Sequence, residues 1–124
     1  MNEIGIIIVS HSELIAQGIE QLIKEVAPNV AISAVGGTED GDIGTSFEKV
    51  MEAVESNPSH TLLTFFDLGS ARMNLDMVSD MTEKEMTIYS VPVVEGAYTA
   101  AALLEAQADL TAINEQLNAL TIQK

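Results

Sequence analysis

The sequence contains no cysteine, and it has only five Lys and Arg residues against 19 Asp and Glu residues. Without cysteine it has no disulfide framework, thiolate zinc site, iron–sulfur cluster or cysteine nucleophile. A formal net charge of −14 argues against binding to nucleic acid or to an anionic membrane, because both need cationic side chains. Two interpretations of the charge remain open: attraction to a basic protein partner, or solubility alone.

Long hydrophobic runs are also absent. The apolar run near the start covers residues 4–9, far short of the ~20 residues of a membrane-spanning helix, and no charged segment of a signal peptide precedes it. The chain has 124 residues, of which 47% are hydrophobic, which is typical of one globular domain with a core of its own. We therefore predict a single domain over residues 1–124, located in the cytoplasm.

Strand and helix patterns alternate along the chain. The β-branched run at residues 4–9 is typical of a strand that is buried on both faces of a parallel sheet. This alternation predicts an α/β fold with three layers, in which helices cover both faces of a mainly parallel four-stranded sheet. Further strands are predicted at residues 30–35, 61–66 and 87–91, and helices at residues 14–26, 45–55, about 71–81 and, broken near Asp109, from residue 94 onward.

In a sheet of this kind, ligands bind at the carboxyl ends of the strands. A Ser-His-Ser sequence centred on His11 follows the first strand, the glycine-rich loop 36–44 follows the second, and Asp67 follows the third. The other histidine, His60, precedes the third strand and is expected at the opposite edge. The candidate catalytic residues are therefore His11 and Asp67.

His11 has the chemistry of a nucleophile, since an imidazole can attack through one ring nitrogen while a hydrogen bond holds the other. If the first and third strands are adjacent, their ends lie about 4.8 Å apart, and the Asp67 carboxylate can accept the proton of one ring nitrogen. The alternative is helix capping. Ser10 and Glu13 fit a capping box around His11, and Asp67 precedes a helix.

Two predicted helix N-termini at the same edge can hold an anion through free backbone amides. Thr45 and Ser46 open the first, and Gly69 and Ser70 open the second. Glu48 is placed for a capping box with Thr45. The alternative interpretation is that the residues of both segments only form surface turns. The acids of loop 36–44 do not have the spacing of an EF-hand, and we predict no metal site.

The third helix raises two further questions. Met73, Met77 and Met81 recur every four residues, which favours a core face or a dimer seam over a transient docking patch, because methionine fills gaps in apolar packing. Arg72 either binds a phosphoryl group through paired N–H donors or bridges to a surface acid. The residues leave both of these alternatives open.

Four stretches together resemble one known family. They are IIVSHS at residues 7–12, GG at 36–37 leading to GDIGTS at 41–46, DLGSA at 67–71 and VPVVEGA at 91–97. The combination resembles the phosphotransfer subunits (DhaM) of bacterial phosphoenolpyruvate-dependent dihydroxyacetone kinases, whose core domain is like the mannose-type EIIA domain. The resemblance spans nearly the whole chain.

The resemblance implies a strand order of 2-1-3-4 and a homodimer. It implies that His11 takes a phosphoryl group from the carrier protein HPr and passes it to ADP held in the DhaL subunit, and that the regenerated ATP phosphorylates dihydroxyacetone in DhaK. The carboxylate partner of the histidine maps onto Asp67, and no directly bound cofactor is implied beyond the phosphoryl group carried on His11. The residues implied to line the phosphoryl pocket are Gly44, Thr45, Ser46, Gly69, Ser70 and Ala71.

The implied order places the first and third strands side by side, as the pairing of His11 with Asp67 requires. The acidic composition suits HPr, whose docking face is basic in that system. Two other functions remain open: a free-standing mannose-type EIIA domain of a sugar phosphotransferase transporter, and a non-catalytic regulatory module in which His11 only caps a helix. The Gly-Asp-Ile-Gly-Thr-Ser stretch at residues 41–46 favours the kinase branch.

Overall fold

Nine elements follow one another along residues 3–124, the part of the chain that the computed structural model describes. The strands are β1 (Ile4–Ser10), β2 (Ile32–Gly36), β3 (Thr61–Phe66) and β4 (Glu85–Tyr89). The helices are α1 (Glu13–Val26), α2 (Phe47–Ser56), α3 (Ala71–Met81), α4 (Val93–Glu105) and α5 (Leu110–Asn118). The predicted α/β alternation is confirmed.

The four strands form one parallel sheet in the order β2-β1-β3-β4. This is the order that the resemblance implied. Strand β1 is central, and its Val9 lies opposite Val35 of β2 and Phe66 of β3. The residues that follow Val9 and Phe66 are therefore brought together at the carboxyl edge of the sheet.

Side chains of β1 alternate between two apolar cores. Ile6 and Ile8 pack on one face with helices α1, α4 and α5, while Ile7 and Val9 pack on the other face with α2 and α3. Burial of each such side chain contributes about 1.5–3 kcal/mol. The sheet with helices on both faces is the predicted three-layer arrangement, and it explains why β1 reads as a continuous apolar run.

Strand boundaries differ from the prediction where pairing decides them. β4 covers Glu85–Tyr89 rather than residues 87–91, because its ladder begins where Glu85 pairs with Thr61, and α4 begins directly after Pro92. β2 similarly begins at Ile32, the residue that pairs with Ile6 of β1. The local apolar pattern predicts that each strand exists, whereas its first and last residues depend on hydrogen bonds to the neighbouring strand.

The methionine stripe of α3 does not lie in the core. Met73, Met77 and Met81 are 71%, 45% and 64% exposed, so the prediction of a core face is wrong. The helix buries Leu75 and Val78 instead. Residues two apart on a helix point in nearly opposite directions, so burial of Leu75 turns Met73 and Met77 outward. The alternative of a dimer seam stays a prediction.

Two kinds of feature are missing from residues 3–124. No helix in that range is both long and apolar enough to cross a membrane. In the same range, His, Asp and Glu side chains nowhere form a group of three that could hold a metal ion. The polar residues that gather at the carboxyl edge of the sheet are the clearest concentration of reactive groups.

Candidate functional site at the carboxyl edge of the sheet

His11 and Asp67 meet at the ends of β1 and β3. The ring Nδ1 of His11 lies 2.9 Å from Oδ1 of Asp67. The other carboxylate oxygen, Oδ2, accepts the backbone N–H of His11 at 3.0 Å. One side chain thus holds both the ring and the main chain of the histidine, and this contact depends on the adjacency of β1 and β3.

Ser10 is a third member of this site, which the sequence interpretation assigned to helix capping. Its fully buried hydroxyl donates to Oδ2 of Asp67 at 2.7 Å and accepts the backbone N–H of Ser12 at 3.1 Å. Ser12 caps α1 instead, accepting the N–H of Ile15 at 3.3 Å, so the alternative of a capping box between Ser10 and Glu13 is wrong. A polar residue at the end of a fully buried strand needs a buried partner. That requirement is the sequence signal that could have placed Ser10 in a hydrogen-bonded site, and the structure shows that its partner is Asp67.

Asp67 is an ionised acceptor. Burial is the largest influence on the pKa of this carboxyl group and acts to raise it, but hydrogen bonds from the backbone and ring of His11, the Ser10 hydroxyl and the backbone of Leu68 outweigh burial. The pKa of Asp67 therefore lies below its ordinary value of 3.8. Asp67 does not cap α3, whose N-cap residue is Ser70.

This charge state decides the tautomer of His11. A carboxylate can only accept, so Nδ1 of His11 carries the hydrogen that Asp67 receives. In the neutral ring, Nε2 then keeps its lone pair. Nε2 lies 2.5 Å from Oγ of Ser70, whose hydroxyl donates to it. The lone pair that nucleophilic attack requires is therefore on Nε2, the ring nitrogen that does not contact Asp67.

The glycine loop is tied to the main chain of His11. The N–H of Gly44 donates to the carbonyl of His11 at 2.8 Å. Gly44 has a φ of 145°, which favours glycine at this position. Lys49 Nζ donates to the carbonyl of Gly36 at 2.8 Å, at the start of the loop. These bonds fix the loop beside His11.

Ser46, rather than Thr45, is the N-cap of α2. Its hydroxyl accepts the N–H of Lys49 at 3.2 Å, so the predicted capping box between Thr45 and Glu48 is wrong. The Thr45 hydroxyl instead accepts from Nδ2 of Asn74 in α3 at 2.8 Å. This contact joins the starts of the two helices that the sequence placed at the site.

Among residues 69–71, Ser70 is the one whose side chain reaches the histidine. Ala71 is fully buried, and its N–H donates to the carbonyl of Leu68 at 3.0 Å. Gly69 faces Lys124: a Cβ on Gly69 would lie 3.3 Å from the carbonyl carbon of that residue. Ser70 is therefore the side chain of this segment that is placed to act on a group at Nε2.

Two other polar residues lie away from the histidine. Nε of Arg72 lies 3.8 Å from Oδ2 of Asp76 on the exposed side of α3. Of the two alternatives for Arg72, the structure therefore shows the bridge to a surface acid. His60 is exposed and directly precedes β3, at the opposite edge from His11, as predicted.

Lys124 is a neighbour of the site that the sequence interpretation missed. Its Nζ donates to the carbonyl of Phe66 at 2.5 Å and lies 4.2 Å from the centroid of the Phe66 ring. Burial lowers the pKa of Lys124, and the charge of Asp67 acts against that shift. No local pattern signals this contact, because 58 positions separate the two bonded residues.

Comparison with known proteins agrees with this geometry. The family model EIIA-man, described as "PTS system fructose IIA component", matches residues 5–114. A protein of Lactococcus lactis subsp. lactis (strain IL1403), named "PTS-dependent dihydroxyacetone kinase, phosphotransferase subunit DhaM", is 62% identical over 120 residues, which cover 97% of this chain and 98% of that one. The chain belongs to the DhaM family.

A second DhaM protein, a phosphoryl donor subunit from Listeria innocua serovar 6a, is 50% identical over 101 residues, 82% of each chain. A crystal structure of a protein of unknown function has a TM-score of 0.84 at 29% identity and covers 97% of this chain and 96% of that one. The DhaM resemblance read from the four sequence stretches is confirmed, and the fold is that of EIIA-man domains.

Proposed function

We propose that this chain is the phosphoryl donor subunit of a phosphoenolpyruvate-dependent dihydroxyacetone kinase and that it acts as a phosphohistidine relay through His11. The observation that carries the proposal is the orientation of the His11 ring. Asp67 accepts from Nδ1 at 2.9 Å, and Nε2, the other ring nitrogen, faces the Ser70 hydroxyl. The names of the DhaM relatives support the kinase branch.

In the first step, the Nε2 lone pair of His11 attacks the phosphorus carried by HPr. The new N–P bond forms as the bond between phosphorus and the carrier breaks, and that bonding pair stays with the carrier. Nε2 has no proton to lose, because Nδ1 carries the hydrogen. Asp67 stabilises the positive charge that develops on the imidazole. The Ser70 hydroxyl, released from Nε2, donates to a phosphoryl oxygen.

In the second step, a terminal phosphate oxygen of ADP bound in DhaL attacks the same phosphorus. The N–P bond breaks and its electron pair returns to Nε2, which regenerates His11. The ATP formed then phosphorylates dihydroxyacetone in DhaK. A relay needs only moderate stabilisation of the bound group, since tighter binding of the intermediate would raise the barrier to onward transfer. The proposed lining of the pocket is Gly44, Thr45, Ser46, Gly69, Ser70 and Ala71.

Exposed apolar side chains around His11 support protein docking at this edge. Leu14 at the start of α1 is 79% exposed, Ile43 in the glycine loop is 76% exposed, and Leu68 after β3 is 59% exposed. The net charge of −14 adds attraction to a basic partner. We propose that HPr, with its basic docking face, covers this apolar rim during the first transfer.

We also propose that the protein is a cytoplasmic homodimer. The exposed methionines of α3, which are Met73, Met77 and Met81, form the candidate seam. The measurement is molar mass by light scattering, for the wild type and for Met77→Glu. A dimer in the wild type and a monomer in the variant are expected. A monomeric wild type, or a dimer that Met77→Glu leaves intact, would remove this seam.

The relay is tested by incubation with phosphoenolpyruvate, enzyme I and HPr. An acid-labile phosphoryl adduct is expected on His11 in the wild type and in His60→Ala, the matched control, but not in His11→Ala. A wild-type protein that stays unmodified would overturn the relay and leave the regulatory module.

The kinase branch is tested with the purified phosphoprotein. Its phosphoryl group is expected to appear as ATP when ADP-loaded DhaL is added, and as dihydroxyacetone phosphate when DhaK and dihydroxyacetone are also present. Transfer to a mannose-type EIIB domain and not to DhaL would instead assign the chain to sugar transport.

A further inference from the structure

Ser10 is the one polar side chain of β1. The six residues before it in the strand are apolar or glycine, and Ser10 itself is fully buried. A buried hydroxyl contributes little net stability, because its hydrogen bond within the protein replaces one to water. What the hydroxyl holds therefore explains a serine at this strand end better than the stability of β1 does.

The carboxylate of Asp67 receives four hydrogen bonds from the residues that the structure describes. Oδ1 accepts from Nδ1 of His11 at 2.9 Å and from the N–H of Leu68 at 2.7 Å. Oδ2 accepts the N–H of His11 at 3.0 Å and the Ser10 hydroxyl at 2.7 Å. Two of the four donors are backbone groups and a third is the His11 ring. Among these donors, Ser10 is the only side chain besides the ring that is to be oriented.

Both the oxygen and the hydrogen of the Ser10 hydroxyl are engaged. The oxygen accepts the N–H of Ser12 at 3.1 Å. The hydrogen is directed to Oδ2 of Asp67, because an ionised carboxylate can only accept. The hydroxyl therefore bridges the main chain that follows His11 to the carboxylate that holds the His11 ring. Since Ser10 is fully buried, water does not compete for either bond.

The bond from Ser10 limits how the carboxylate can turn. Rotation about the Cβ–Cγ bond of an aspartate is broad unless contacts restrict it. Of the two bonds to Oδ2, the one from Ser10 is the shorter, and it keeps Oδ1 in line with Nδ1 of His11. Against the effect of burial, it also helps to hold the pKa of Asp67 below 3.8. An aligned, ionised carboxylate stabilises positive charge on the ring during attack at phosphorus.

We propose that Ser10 is a positioning residue of the phosphoryl-transfer site: its buried hydroxyl holds Oδ2 of Asp67, so that Oδ1 stays aligned with Nδ1 of His11 and the lone pair of the ring stays on Nε2. The role in transfer rests on the proposed function. The effect on the tautomer of His11 rests on the contacts alone and is measured without a phosphoryl donor.

The experiment compares the wild type with Ser10→Ala, Ser10→Thr and Thr64→Val. Ser10→Ala removes the hydroxyl, whereas Ser10→Thr retains it. Thr64→Val is the matched control, because Thr64 is also fully buried in the sheet and its hydroxyl donates to the carbonyl of Thr87 at 2.8 Å. Urea denaturation measures the stability of each protein. Thr64→Val then reports how the loss of a buried hydroxyl affects transfer through stability alone.

The first readout is the tautomer of the neutral His11 ring, from nitrogen-15 NMR, with the signals assigned by their absence from His11→Ala. The wild type is expected to carry the ring hydrogen on Nδ1. In Ser10→Ala the ratio of the Nδ1–H form to the Nε2–H form is expected to fall about 3- to 12-fold, because a misaligned acceptor bonds Nδ1–H less well. Ser10→Thr and Thr64→Val are expected to keep the wild-type ratio. An equal ratio in the wild type and Ser10→Ala would overturn the inference.

The second readout is the steady-state rate of phosphorylation by HPr. Because Ser10 is buried and does not reach a docked protein, Ser10→Ala is expected to lower kcat about 3- to 12-fold and to leave KM for HPr unchanged. Ser10→Thr is expected to recover the rate, and Thr64→Val to keep it.

Three kinetic outcomes would overturn the role of Ser10 in transfer: a wild-type kcat in Ser10→Ala, a Ser10→Thr protein as slow as Ser10→Ala, or an equally slow Thr64→Val. The last two would make the loss an effect of packing. A wild-type protein that takes no phosphoryl group from HPr would overturn the proposed function instead, and the tautomer ratio would still decide whether Ser10 orients the ring.

Discussion

Ser10 and Asp67 share a hydrogen bond of 2.7 Å that joins the end of β1 to the residue after β3. The same oxygen of Asp67 also accepts the backbone N–H of His11, so the carboxylate is fixed from two successive residues of one strand end. Its other oxygen, Oδ1, accepts from the ring of His11 at 2.9 Å and from the backbone N–H of Leu68 at 2.7 Å. The orientation of the imidazole therefore follows from the pairing of β1 with β3.

Replacement of Asp67 by Asn tests the role of the carboxylate. The amide group can donate to Nδ1, which favours the tautomer that carries its hydrogen on Nε2 and removes the outward lone pair. Loss of a hydrogen bond to a charged group costs about 1.5–3 kcal/mol, so the rate of phosphorylation by HPr should fall about 12- to 160-fold. Asp76→Asn, on the exposed side of α3, is the control. Equal initial rates in Asp67→Asn and the wild type would remove Asp67 from the mechanism.

Replacement of Ser70 by Ala tests the group that faces Nε2. The variant loses a neutral hydrogen bond of 2.5 Å to Nε2 and the donor proposed for a phosphoryl oxygen. At about 0.5–1.5 kcal/mol for such a bond, the rate of His11 phosphorylation should fall about 2- to 12-fold. Ser79→Ala, later on the same helix, should keep the wild-type rate. A Ser70→Ala rate equal to that of Ser79→Ala would argue against this donor.

The pH dependence of stability follows from the lowered pKa of Asp67. Because the pKa of the folded state lies below the ordinary 3.8, ionised Asp67 adds to the free energy of unfolding fully above about pH 3.8. The contribution is lost as the pH falls through the lower pKa of the folded state. Urea denaturation of the wild type and Asp67→Asn should show a stability difference that shrinks on acidification from pH 7 to below 3. A difference that is constant over this range would contradict the shifted pKa.

The buried face of α3 gives a stability prediction with an internal control. Leu75 is fully buried, and Leu75→Ala should lower the free energy of unfolding by about 2–5 kcal/mol, from lost transfer free energy and the cavity left behind. Met73, two residues earlier, is 71% exposed, and Met73→Ala should change the free energy of unfolding by no more than about 0.5 kcal/mol. Urea denaturation measures both. Comparable losses would mean that α3 is rotated about its axis.

Much of the fold was readable from local pattern. The β-branched run of β1, the helical spacing of α1 and the Asn-Pro break before β3 each act within a few residues, and they predicted the strand–helix alternation. His11 and Asp67 were predicted for a related reason. Polar residues directly after buried strands lie at the carboxyl edge of a parallel sheet, whatever the order of its strands.

Other features were not readable, because they depend on contacts between distant segments. Thr45 and Ser46 are equivalent as sequence signals for capping, and the bond of Thr45 to Asn74 makes Ser46 the cap of α2. The methionine stripe that includes Met73 was predicted to lie at a core face or a dimer seam, because periodicity alone does not show which apolar stripe of a helix meets the sheet. Lys124 carries no motif at all.

The sequence by itself determined which residues stand at the ends of the strands, because burial and period are properties of short segments. Only the tertiary structure decided that His11 meets Asp67, 56 positions away, and that Lys124 contacts Phe66, the residue before Asp67. The physical reason is that strand order and register bring these groups within hydrogen-bond range, and neither is encoded within any one segment.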